Sequence, residues 1–533
     1  MQAGNERLDT HDARAHIDGC SLRLTPRDYV AGLLCPENRA RWLRGCIVNL
    51  IPDNVHDKVA ASPAGLAARA KALCDDPAAF FNHSYTEMQA IPTDDLEALQ
   101  LAGLKWRFAD LRDRIPMLKK LADSQEIAGI DELNAIVPLL FEHTMYKSYP
   151  PSLLENGRFV EINKFLSKLC TFDLSTVDVS KCATIDDWMI NMDRESPLLI
   201  MHSSGSSGTM SFLPTSKKEW DKFGRTLRVT FIQDFGDDPA ACYEEDIYAI
   251  YPYFRHGGSG HVRQCEIFVK YFCETEDRLF TAYPGRMSSD LLYLGSKIQS
   301  SARKGKLHQL KISPNMLARQ AEYEKIQREM PERLMAFFAE IVETLGGKRI
   351  FYSGAQNLLY NVTKIGQEMG LSHVFAPSSI ISTGGDWKGG EARPDSWREQ
   401  ICEFVGIEKT RMVYGMTEIG GLHNKCANDH YHFTPWVIPY VLNPDTSEVL
   451  PRRGRTKGRA AFFDLGSETR WGGFITGDEI DIEWDTPCGC GQATVWAHDG
   501  ITRLSAQRGG DDKISCAATE GAHQDAMDFL NTY

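Results

Sequence analysis

Apolar residues recur at helical spacing through much of the first 145 residues. One such run extends from Pro63 to Leu73, and a second covers residues 95–121. In the second run the apolar positions repeat every two to four residues: Leu96, Leu99, Leu101, Leu104, Phe108 and Leu111. A repeat of this kind places the apolar side chains on one face of a helix. The pattern predicts a helical N-terminal region over residues 1–145.

Short apolar runs that end in small residues replace this pattern further along the chain. The stretch Arg349–Gly354 and the stretch Val374–Thr383 both run from branched or aromatic residues into Ser and Gly, with helical patterns between such strands. Strands that alternate with helices and end in small-residue loops are typical of a doubly wound α/β sheet with ligands at the strand ends. The sequence therefore predicts an α/β core over residues 146–440.

Turn residues dominate the region that follows. The segments 443–445 and 451–458 are rich in Asn, Pro, Asp and Gly and separate short apolar runs, as in β structure. We expect a β-rich subdomain over residues 441–480 and a short C-terminal segment over 481–533.

The stretch from Leu198 to Pro214 carries the first candidate site. An apolar strand pattern breaks there into a loop of hydroxyl-bearing residues and glycines: Ser203, Ser204, Gly205, Ser206, Ser207, Gly208 and Thr209. Glycine lets the backbone approach a ligand, and amides with hydroxyls can surround phosphate oxygens. The loop lacks the Gly-Lys-Ser/Thr ending of a Walker loop and the GxGxxG dinucleotide pattern. The alternative is a flexible Ser/Gly linker.

Two further blocks lie downstream of this loop, in a fixed order. Tyr414-Gly415-Met416-Thr417-Glu418 comes first, and Thr476-Gly477-Asp478 follows. The three blocks together resemble the AMP-forming adenylating enzymes, which include acyl-CoA synthetases, luciferases and peptide-synthetase adenylation domains. The resemblance covers roughly residues 195–515. It implies a large adenylate-forming α/β core that uses ATP and Mg²⁺ to activate a small carboxylic acid.

The resemblance also implies roles for single residues. Glu418 matches the Mg²⁺ ligand, and Thr417 beside it the contact to the α-phosphate. Asp478 matches the carboxylate that binds the ribose hydroxyls, and Tyr414 with Gly415 completes that nucleotide site. Gly384 and Gly385 end a strand where the family keeps a glycine loop against adenine. His256, in an aromatic segment, matches a residue beside the acid; the alternative is a surface histidine. The family's lysine after the phosphate loop is missing, so Lys217 or Lys218 replaces it, or none does.

A possible zinc site is formed by cysteine and histidine residues near the third block. Thiolates and imidazoles are the ligands that Zn²⁺ favours in closed tetrahedral sites. The candidate ligands are Cys426, His432, Cys488 and Cys490, with His430 as the substitute. The Cys-Gly-Cys-Gly turn resembles one in the phenylacetate-CoA ligase branch, some members of which hold structural zinc. The alternative is a glycine-flanked turn with free thiols.

The end of the chain leaves the acyl acceptor open. Arg503 and Arg508 resemble the hinge block after the third motif, and a truncated C-terminal lid follows. Cys516 just after this block resembles the LuxE-type acyl-protein synthetases, which move the acyl group onto their own cysteine and then to an acyl reductase. The alternatives are CoA, an amine or a carrier protein as acceptor. For the chain as a whole, a further alternative is a non-catalytic nucleotide-binding subunit that regulates an acyl reductase. For Cys516 itself, the alternative is that one of the 14 cysteines lies at this position by chance.

Charge and composition limit the classes of binding partner and the cellular compartment that we expect. The net charge of −13 argues against nucleic acid or an anionic membrane as the main partner. The sequence contains no apolar run of membrane-spanning length, and its N-terminus lacks the apolar core of a signal peptide. The 14 cysteines are mostly scattered singly, as in a reduced protein. We therefore expect a cytoplasmic protein.

Overall fold

The computed structural model describes residues 62–203, 209–232, 246–303, 318–384 and 394–504, together with 305–306, 308, 525, 527–530, 532 and the backbone of 15–17 and 20–22. The chain separates into two compact units, Met1–Leu66 and Ala67–Tyr533. In the first unit, β1 (Ala15–Ile17) pairs antiparallel with β2 (Cys20–Leu22). Every site discussed below belongs to the second unit.

The helices and the remaining strands have the following bounds. The helices are α1 Pro63–Asp75, α2 Pro77–Phe80, α3 Tyr85–Ala90, α4 Thr93–Leu111, α5 Pro116–Ser124, α6 Pro151–Glu155, α7 Phe159–Ser167, α8 Ile185–Glu195, α9 Lys217–Ile232, α10 Gly260–Phe268, α11 Ser289–Arg303, α12 Gln320–Leu345, α13 Gln356–Glu368 and α14 Trp397–Val405. The strands are β3 Phe141–Glu142, β4 Leu198–His202, β5 Phe212–Ser216, β6 Tyr248–Gly257, β7 Leu279–Met287, β8 Ile350–Ala355, β9 Ile380–Gly384, β10 Arg411–Tyr414, β11 His423–Asn424, β12 Tyr431–His432, β13 Val437–Leu442, β14 Arg455–Asp464, β15 Gly473–Glu483, β16 Trp496–Ala497 and β17 Thr502–Arg503.

A six-stranded sheet forms the centre of the second unit, in the order β11-β10-β9-β8-β6-β7. The five strands from β10 to β7 run parallel, and β11 is an antiparallel edge strand. Neighbouring side chains of one strand point to opposite faces of the sheet. Accordingly, Phe351 packs in one hydrophobic cluster with helices α9 and α10, and Tyr352 in another with α12, α13 and α14. Helices cover both faces, so the prediction of a doubly wound α/β fold is confirmed.

A second, seven-stranded sheet contains β12, β16, β15, β14 and β13 in that order, with β17 and β3 paired to β15. Apart from β3, its strands extend along the chain from β12 to β17, beyond the predicted β-rich range of 441–480. The short strand β3 joins it from the N-terminal region, parallel to β15. The domain boundaries at 145, 440 and 480 stay predictions, and most of the segment expected to form the truncated lid lies outside the described residues.

The predicted helix over 95–121 is two helices. Helix α4 ends at Leu111 and α5 begins at Pro116, while Ile115 between them has extended backbone angles, φ −108° and ψ 107°. A residue that precedes proline is pushed out of the helical region by the proline ring, whereas proline itself fits the first turn of a helix. Among the described residues, no helix combines the length and the apolar character needed to cross a lipid bilayer.

Candidate functional site

The second and third sequence blocks meet where the two sheets come together. The Tyr414 hydroxyl, at the end of β10, donates a hydrogen bond to Asp478 Oδ2 in β15 over 3.0 Å. Asp478 is 8% exposed. The pKa of Tyr414 is raised well above its ordinary value, mainly by burial and secondly by the negative charge of this carboxylate. Tyr414 is therefore a neutral hydroxyl that donates to an acidic side chain.

An irregularity in β15 sets the position of Asp478. Arg459 pairs with Glu479 and Ala461 with Ile475, so three residues of β15 lie opposite Ala460 alone. The hydroxyl of Thr476 holds this bulge: it donates to the Ala460 carbonyl over 2.8 Å and accepts from the Asp478 amide over 3.0 Å. Bulges bend a strand and re-aim its side chains, and they are frequent beside active sites. The Thr-Gly-Asp block thus has a structural reason for its threonine.

Arg503 completes the group around this carboxylate. Strand β17 pairs with β15 so that Arg503 lies opposite Asp478, and its Nε is 3.1 Å from Asp478 Oδ1. Asp478 thus presents a carboxylate, held from two sides, at the point where the two blocks meet.

These residues line a polar cleft of about 330 Å³ at the carboxyl ends of the parallel strands. Its lining includes Gln356, Gly415 and Tyr431 besides the three residues just described. Gly384 ends the neighbouring strand β9 and pairs with Val413, which lines the cleft. Gly385 lies outside the described residues.

Glu418 follows within the same segment and lies among positive charges. Its side chain is half-buried. Burial raises the pKa of Glu418, while the charges of Arg470, Arg503 and Lys147 oppose that rise. Arg470 is fixed in place because its guanidinium donates to the Glu418 carbonyl over 2.6 Å and to Thr215 Oγ1 over 3.1 Å. One carboxylate among three cations leaves a net positive charge. That charge is complementary to the net negative charge of a magnesium-bound triphosphate.

Lys147 is a site residue that the sequence did not single out. It lies on the connector His143–Tyr149, which is anchored at both ends to predicted blocks. At one end the His143 amide donates to the Ile475 carbonyl over 3.2 Å, beside the third block. At the other end the Tyr149 hydroxyl donates to the Met210 carbonyl over 2.7 Å, after the phosphate loop. The connector therefore spans the two blocks.

The two lysines that the sequence offered for the phosphates are engaged elsewhere. The Lys217 ammonium donates to the carbonyls of Asp193 and Ser196, over 2.8 and 3.0 Å, at the end of α8. The Lys218 ammonium lies 3.0 Å from Glu468 Oε2. The positive charge near Glu418 comes instead from Arg470, from Lys147 of the connector and from Arg503 of β17.

The phosphate loop joins the strands of the hairpin β4–β5. The Ser203 amide donates to the Ser211 carbonyl, and the Ser211 amide donates to Ser203 Oγ, both over 3.1 Å. Thr209 is half-buried on the returning side. Ser204, Gly205, Ser206, Ser207 and Gly208 lie outside the described residues, so their predicted phosphate contacts stay predictions.

Thr417 borders a second, mostly apolar pocket of about 250 Å³. A Cβ atom on Gly260, the first residue of α10, would lie 2.6 Å from the Thr417 methyl group. Glycine is needed there because α10 approaches this segment so closely. The apolar pocket is lined by Met416, Trp220 and Phe223, among others, and Gly415 lines both this pocket and the polar cleft.

His256 does not reach either cavity. Its side chain is 48% exposed and its Nδ1 lies 3.9 Å from Glu266 Oε1. A different histidine, His261, lies five residues later at the start of α10 and is among the residues that line the apolar pocket. The pairing of β6 with β7 is irregular at Phe254 and again before His256. Because a change of register moves side chains between faces, the residue pattern alone did not locate His256.

The four predicted zinc ligands converge. The ligand atoms of Cys426, His432, Cys488 and Cys490 all lie within 4.8 Å of one another. Cys426 Sγ is 3.6 Å from Cys488 Sγ, and Cys490 Sγ is 3.3 Å from His432 Nε2. Zn–S bonds of about 2.3 Å in a tetrahedron put two sulfurs roughly 3.8 Å apart, whereas a disulfide needs about 2.05 Å. The spacing fits shared ligation, and the Cys426 and Cys488 sulfurs are not bonded to each other.

The surroundings of these ligands also suit a metal. His432 Nδ1 lies 3.2 Å from the Thr494 carbonyl, so a proton on Nδ1 leaves the Nε2 lone pair toward the sulfurs. Gly489 and Gly491 have φ of +78° and +93°, which lets the turn bring both cysteines inward. His430 Nδ1 lies 3.1 Å from Cys488 Sγ, and its ring stacks on Trp496. His430 therefore stays a neighbour of the set and the substitute ligand.

Two residues of the C-terminal prediction have no described position. Arg508 and Cys516 both lie outside the described residues, so their predicted roles stay predictions.

Comparisons with known proteins identify no family for the chain. No protein-family model matches it, and no curated protein matches it. Among solved structures, 2-hydroxyisobutyryl-CoA ligase in complex with 2-HIB-AMP and CoA matches 78% of this chain over 71% of its own, with 11% identity and a TM-score of 0.45.

Two further solved structures show a weaker similarity. ATP-bound MatB from Rhodopseudomonas palustris matches 57% of this chain with 13% identity and a TM-score of 0.32, and the chain spans 47% of the length of MatB. Apo MbtA from Mycobacterium smegmatis matches 88% of this chain over 79% of its own, with 12% identity and a TM-score of 0.30. Similarities this low transfer no function, so the activity is inferred from the chain's own residues.

Proposed function

We propose that this chain activates a small carboxylic acid with ATP, forming an acyl-adenylate and releasing pyrophosphate. The observation that carries the proposal is the position of the segment Gly415–Glu418 between two different cavities. The polar cleft with Asp478 lies on one side and the apolar pocket on the other, and Gly415 lines both. A nucleotide and an acid bound in these two cavities would meet at Gly415, two residues before Thr417.

The polar cleft offers what a nucleotide requires. Asp478 lines this cleft, and a carboxylate with its two oxygens is the acceptor that a pair of ribose hydroxyls requires. The cleft lies at the carboxyl ends of parallel strands, where ligands of doubly wound folds bind. Arg470, Arg503 and Lys147 around Glu418 offset the negative charge of a triphosphate.

The proposed reaction is an in-line displacement at phosphorus. A carboxylate oxygen of the acid forms a bond to the α-phosphorus of ATP, the bond from that phosphorus to the bridging oxygen breaks, and pyrophosphate leaves with the electron pair. The Thr417 hydroxyl donates to an oxygen of the α-phosphate. Arg470, held by its bonds to Thr215 and to the Glu418 carbonyl, stabilises the charge that develops.

Glu418 fits the role of a magnesium ligand. A carboxylate that is half-buried and lies among cations is the oxygen donor that a hard divalent ion prefers alongside phosphate oxygens. When bound, Mg²⁺ neutralises phosphate charge and orients the triphosphate. Glu418 must be ionised for this, and the three neighbouring cations favour its ionised form.

The acyl acceptor is the second part of the proposal. We keep the thiol of Cys516 as the first candidate: its thiolate would attack the acyl carbonyl, and AMP would leave with the electrons of the broken acyl–phosphate bond. CoA or an amine as acceptor is the alternative. A non-catalytic nucleotide-binding subunit that regulates an acyl reductase is the candidate from another class, and it requires no pyrophosphate exchange at all.

A structural zinc ion is also proposed, bound by Cys426, His432, Cys488 and Cys490. The support is the 3.6 Å separation of the Cys426 and Cys488 sulfurs, together with the orientation of His432 toward Thr494. Such an ion would tie the loop after β11 to the turn at residues 488–490. That loop leads into Tyr431, which lines the polar cleft. Zinc would therefore support the site without taking part in the reaction.

ATP–pyrophosphate exchange over a panel of fatty, aryl and amino acids tests the proposal. We expect acid-dependent exchange that Glu418→Gln abolishes and that Glu132→Gln, at an exposed position, leaves unchanged. Absence of exchange with every acid would refute adenylation and favour the regulatory subunit. The intact mass of the protein after turnover then identifies the acceptor: a gain that disappears in Cys516→Ser and persists in Cys182→Ser supports acyl capture. Exchange without a mass gain supports CoA or an amine.

A further inference from the structure

His202 is a buried polar residue that the proposed reaction does not use. It is the last residue of β4, directly before Ser203 at the start of the phosphate loop, and it is fully buried. Its Nδ1 lies 2.9 Å from the Ser203 carbonyl, and its Nε2 lies 3.1 Å from Ser289 Oγ at the first residue of α11. A buried imidazole is costly unless its nitrogens are hydrogen-bonded, and here both are. The ring therefore joins the start of the loop to a neighbouring helix.

The partners of the ring determine which nitrogen carries the proton. A backbone carbonyl can only accept, so Nδ1 donates to Ser203. Burial lowers the pKa of His202 to about 4, so the ring is neutral at ordinary pH and Nε2 keeps a lone pair. That lone pair accepts from the Ser289 hydroxyl, which also lies 3.5 Å from Met189 Sδ, a weaker acceptor. The Ser289 amide donates to Asp186 Oδ1 over 2.8 Å, so the far partner of the ring is itself held in place.

The bond from His202 completes the constraints on Ser203. The amide and the hydroxyl oxygen of Ser203 are bound to the carbonyl and the amide of Ser211 across the hairpin. Its carbonyl is bound to Nδ1 of His202. The hydroxyl hydrogen of Ser203 has no acceptor within the part of the chain that the structure describes, so it can be donated to a ligand. A carbonyl oxygen that turned toward a phosphate would repel it, and the bond from His202 prevents that turn.

The backbone of His202 connects the same point to the second sequence block. Its amide donates to the Gly258 carbonyl over 3.2 Å, and it forms a parallel bridge with Ser259, the residue before α10. Helix α10 begins at Gly260, where a Cβ atom would lie 2.6 Å from the Thr417 methyl group. The short stretch 258–260 therefore connects His202 with Thr417. The position of Ser203 relative to Thr417 thus depends on His202.

Resting on the proposed ATP site, we propose that His202 is a positioning residue: its Nδ1–H holds the Ser203 carbonyl and thereby directs the Ser203 hydroxyl to the phosphates of ATP. The ring is buried, so it does not touch the nucleotide, and both of its nitrogens are engaged, so it transfers no proton. Its contribution is to the affinity for the triphosphate of ATP and is absent for adenosine. A ring that only filled space in the core would contribute to stability without this selectivity.

Two amide variants of His202 separate positioning from space filling. Asparagine places its side-chain N–H near the position of Nδ1, whereas glutamine extends toward the position of Nε2 and is closer to histidine in size. We expect His202→Gln to raise the Kd for ATP by about tenfold or more, and His202→Asn to stay within about threefold of the wild type. A role in packing alone predicts the reverse order, because asparagine leaves the larger cavity. Isothermal titration calorimetry with ATP and no acid measures both.

Adenosine is the control ligand, because it carries no phosphate. Its Kd should be the same in the wild type and in both variants. Equal Kd values for ATP in the two variants, a larger rise in His202→Asn than in His202→Gln, or an equal loss of affinity for adenosine and ATP would overturn the assignment.

Ser289→Ala tests the other side of the ring if neither His202 variant folds. Without the Ser289 hydroxyl the ring is held at Nδ1 only, and we expect the Kd for ATP to rise by about threefold. Ser296→Ala is the matched control, since Ser296 is a buried serine two turns further along α11. A Kd for ATP in Ser289→Ala that equals this control would then overturn the inference.

The role of His202 and the proposed adenylation fail separately. If ATP binding shows the expected order of variants and no acid supports pyrophosphate exchange, adenylation is refuted and the role of His202 stands. If the wild type catalyses exchange and the variants bind ATP equally, adenylation stands and the role of His202 is refuted. If the wild type neither binds ATP nor catalyses exchange, both are refuted.

Discussion

The hydroxyl of Tyr414 and the carboxylate of Asp478 are joined by a 3.0 Å hydrogen bond that links the last residue of a parallel strand to a bulge in the second sheet. The two residues are 64 positions apart in the chain. Each sheet contributes one partner, so the orientation of the sheets and the geometry of the cleft depend on each other.

Asp478→Asn is expected to weaken ATP binding more than Tyr414→Phe. The asparagine side chain loses the negative charge that faces Arg503, and its nitrogen cannot accept a ribose hydroxyl, whereas phenylalanine removes one donor only. We expect the KM for ATP to rise by about fivefold in Tyr414→Phe and by about tenfold or more in Asp478→Asn. Pyrophosphate exchange at varied ATP concentration measures both.

Asp131→Asn serves as the control, because Asp131 is an exposed carboxylate outside the cleft. A KM for ATP in Asp478→Asn that matches this control would contradict the assignment of Asp478 to the ribose.

Lys147→Met is expected to shift the pH dependence of the reaction. The Lys147 charge is one of three that oppose the rise in the pKa of Glu418 caused by burial. Without it the pKa of Glu418 rises further. Because ionised Glu418 is the active form, activity is lost as the pH falls through that pKa, and in the variant this loss begins at a higher pH. We also expect kcat/KM for ATP at neutral pH to fall by about tenfold.

The measurement is pyrophosphate exchange from pH 5 to 9, with Lys105→Met at an exposed position as the control. A purely structural effect of Lys147→Met would lower activity equally across this range. An unmoved acidic limb would therefore contradict an electrostatic role of Lys147.

Asp290 is expected to make folding stability depend on pH. Its carboxylate accepts from the amides of Ile185 and Asp186 over 3.0 Å each, at the start of α8. Burial raises the pKa of Asp290 from 3.8 to about 6. A raised pKa means that the folded state holds the proton more tightly than the unfolded state between these values. The contribution of Asp290 is therefore most favourable below pH 4 and decreases by up to roughly 3 kcal/mol as the pH rises through 6.

Urea unfolding at pH 4.5 and pH 7.5 measures this effect. The quantity compared is the free energy of unfolding at pH 7.5 minus that at pH 4.5. It should be more positive in Asp290→Asn than in the wild type, because the variant lacks the group whose ionisation destabilises the folded state. The same difference in both proteins would show that Asp290 titrates normally.

The sequence predicted the site where its chemistry is local. Tyr414 and Glu418 lie within one block, and Cys488 and Cys490 within one turn, so neighbouring positions sufficed to select them as candidates. The alternation of the sheet was also legible, since Phe351 and Tyr352 are consecutive apolar residues that serve opposite cores. Motif and period are both properties of short stretches.

The remaining features depend on pairing between distant segments. Lys147 reaches the site because β3 pairs with β15 across more than 300 residues, with Phe141 opposite Phe474. No local pattern encodes that pairing. His256 and His261 were distinguishable only once the irregular pairing of β6 with β7 was known. The break before Pro116, by contrast, followed from a local rule that the apolar period concealed.

Removal of the proposed zinc is expected to weaken ligand binding in the polar cleft. Cys426 and His432 flank Tyr431, which lines the cleft, and Cys488 with Cys490 fixes their position from the other side. We expect the purified protein to hold about one zinc per chain. Cys490→Ser should lose that zinc, lower the midpoint of thermal unfolding, and raise the KM for ATP more than the KM for the acid, because the apolar pocket lies on different elements.

Cys182→Ser is the matched control, since Cys182 is partly exposed and lies outside the cluster. Metal analysis by mass spectrometry after dialysis, thermal unfolding and exchange assays on the same samples measure the three effects. If the wild type contains no zinc and takes up none when zinc is added after reduction, the four ligands form only a packed turn. If Cys490→Ser loses zinc but keeps its KM for ATP, the ion stabilises the fold without supporting Tyr431. Only a joint loss of zinc and of ATP affinity supports the link between the cluster and the cleft.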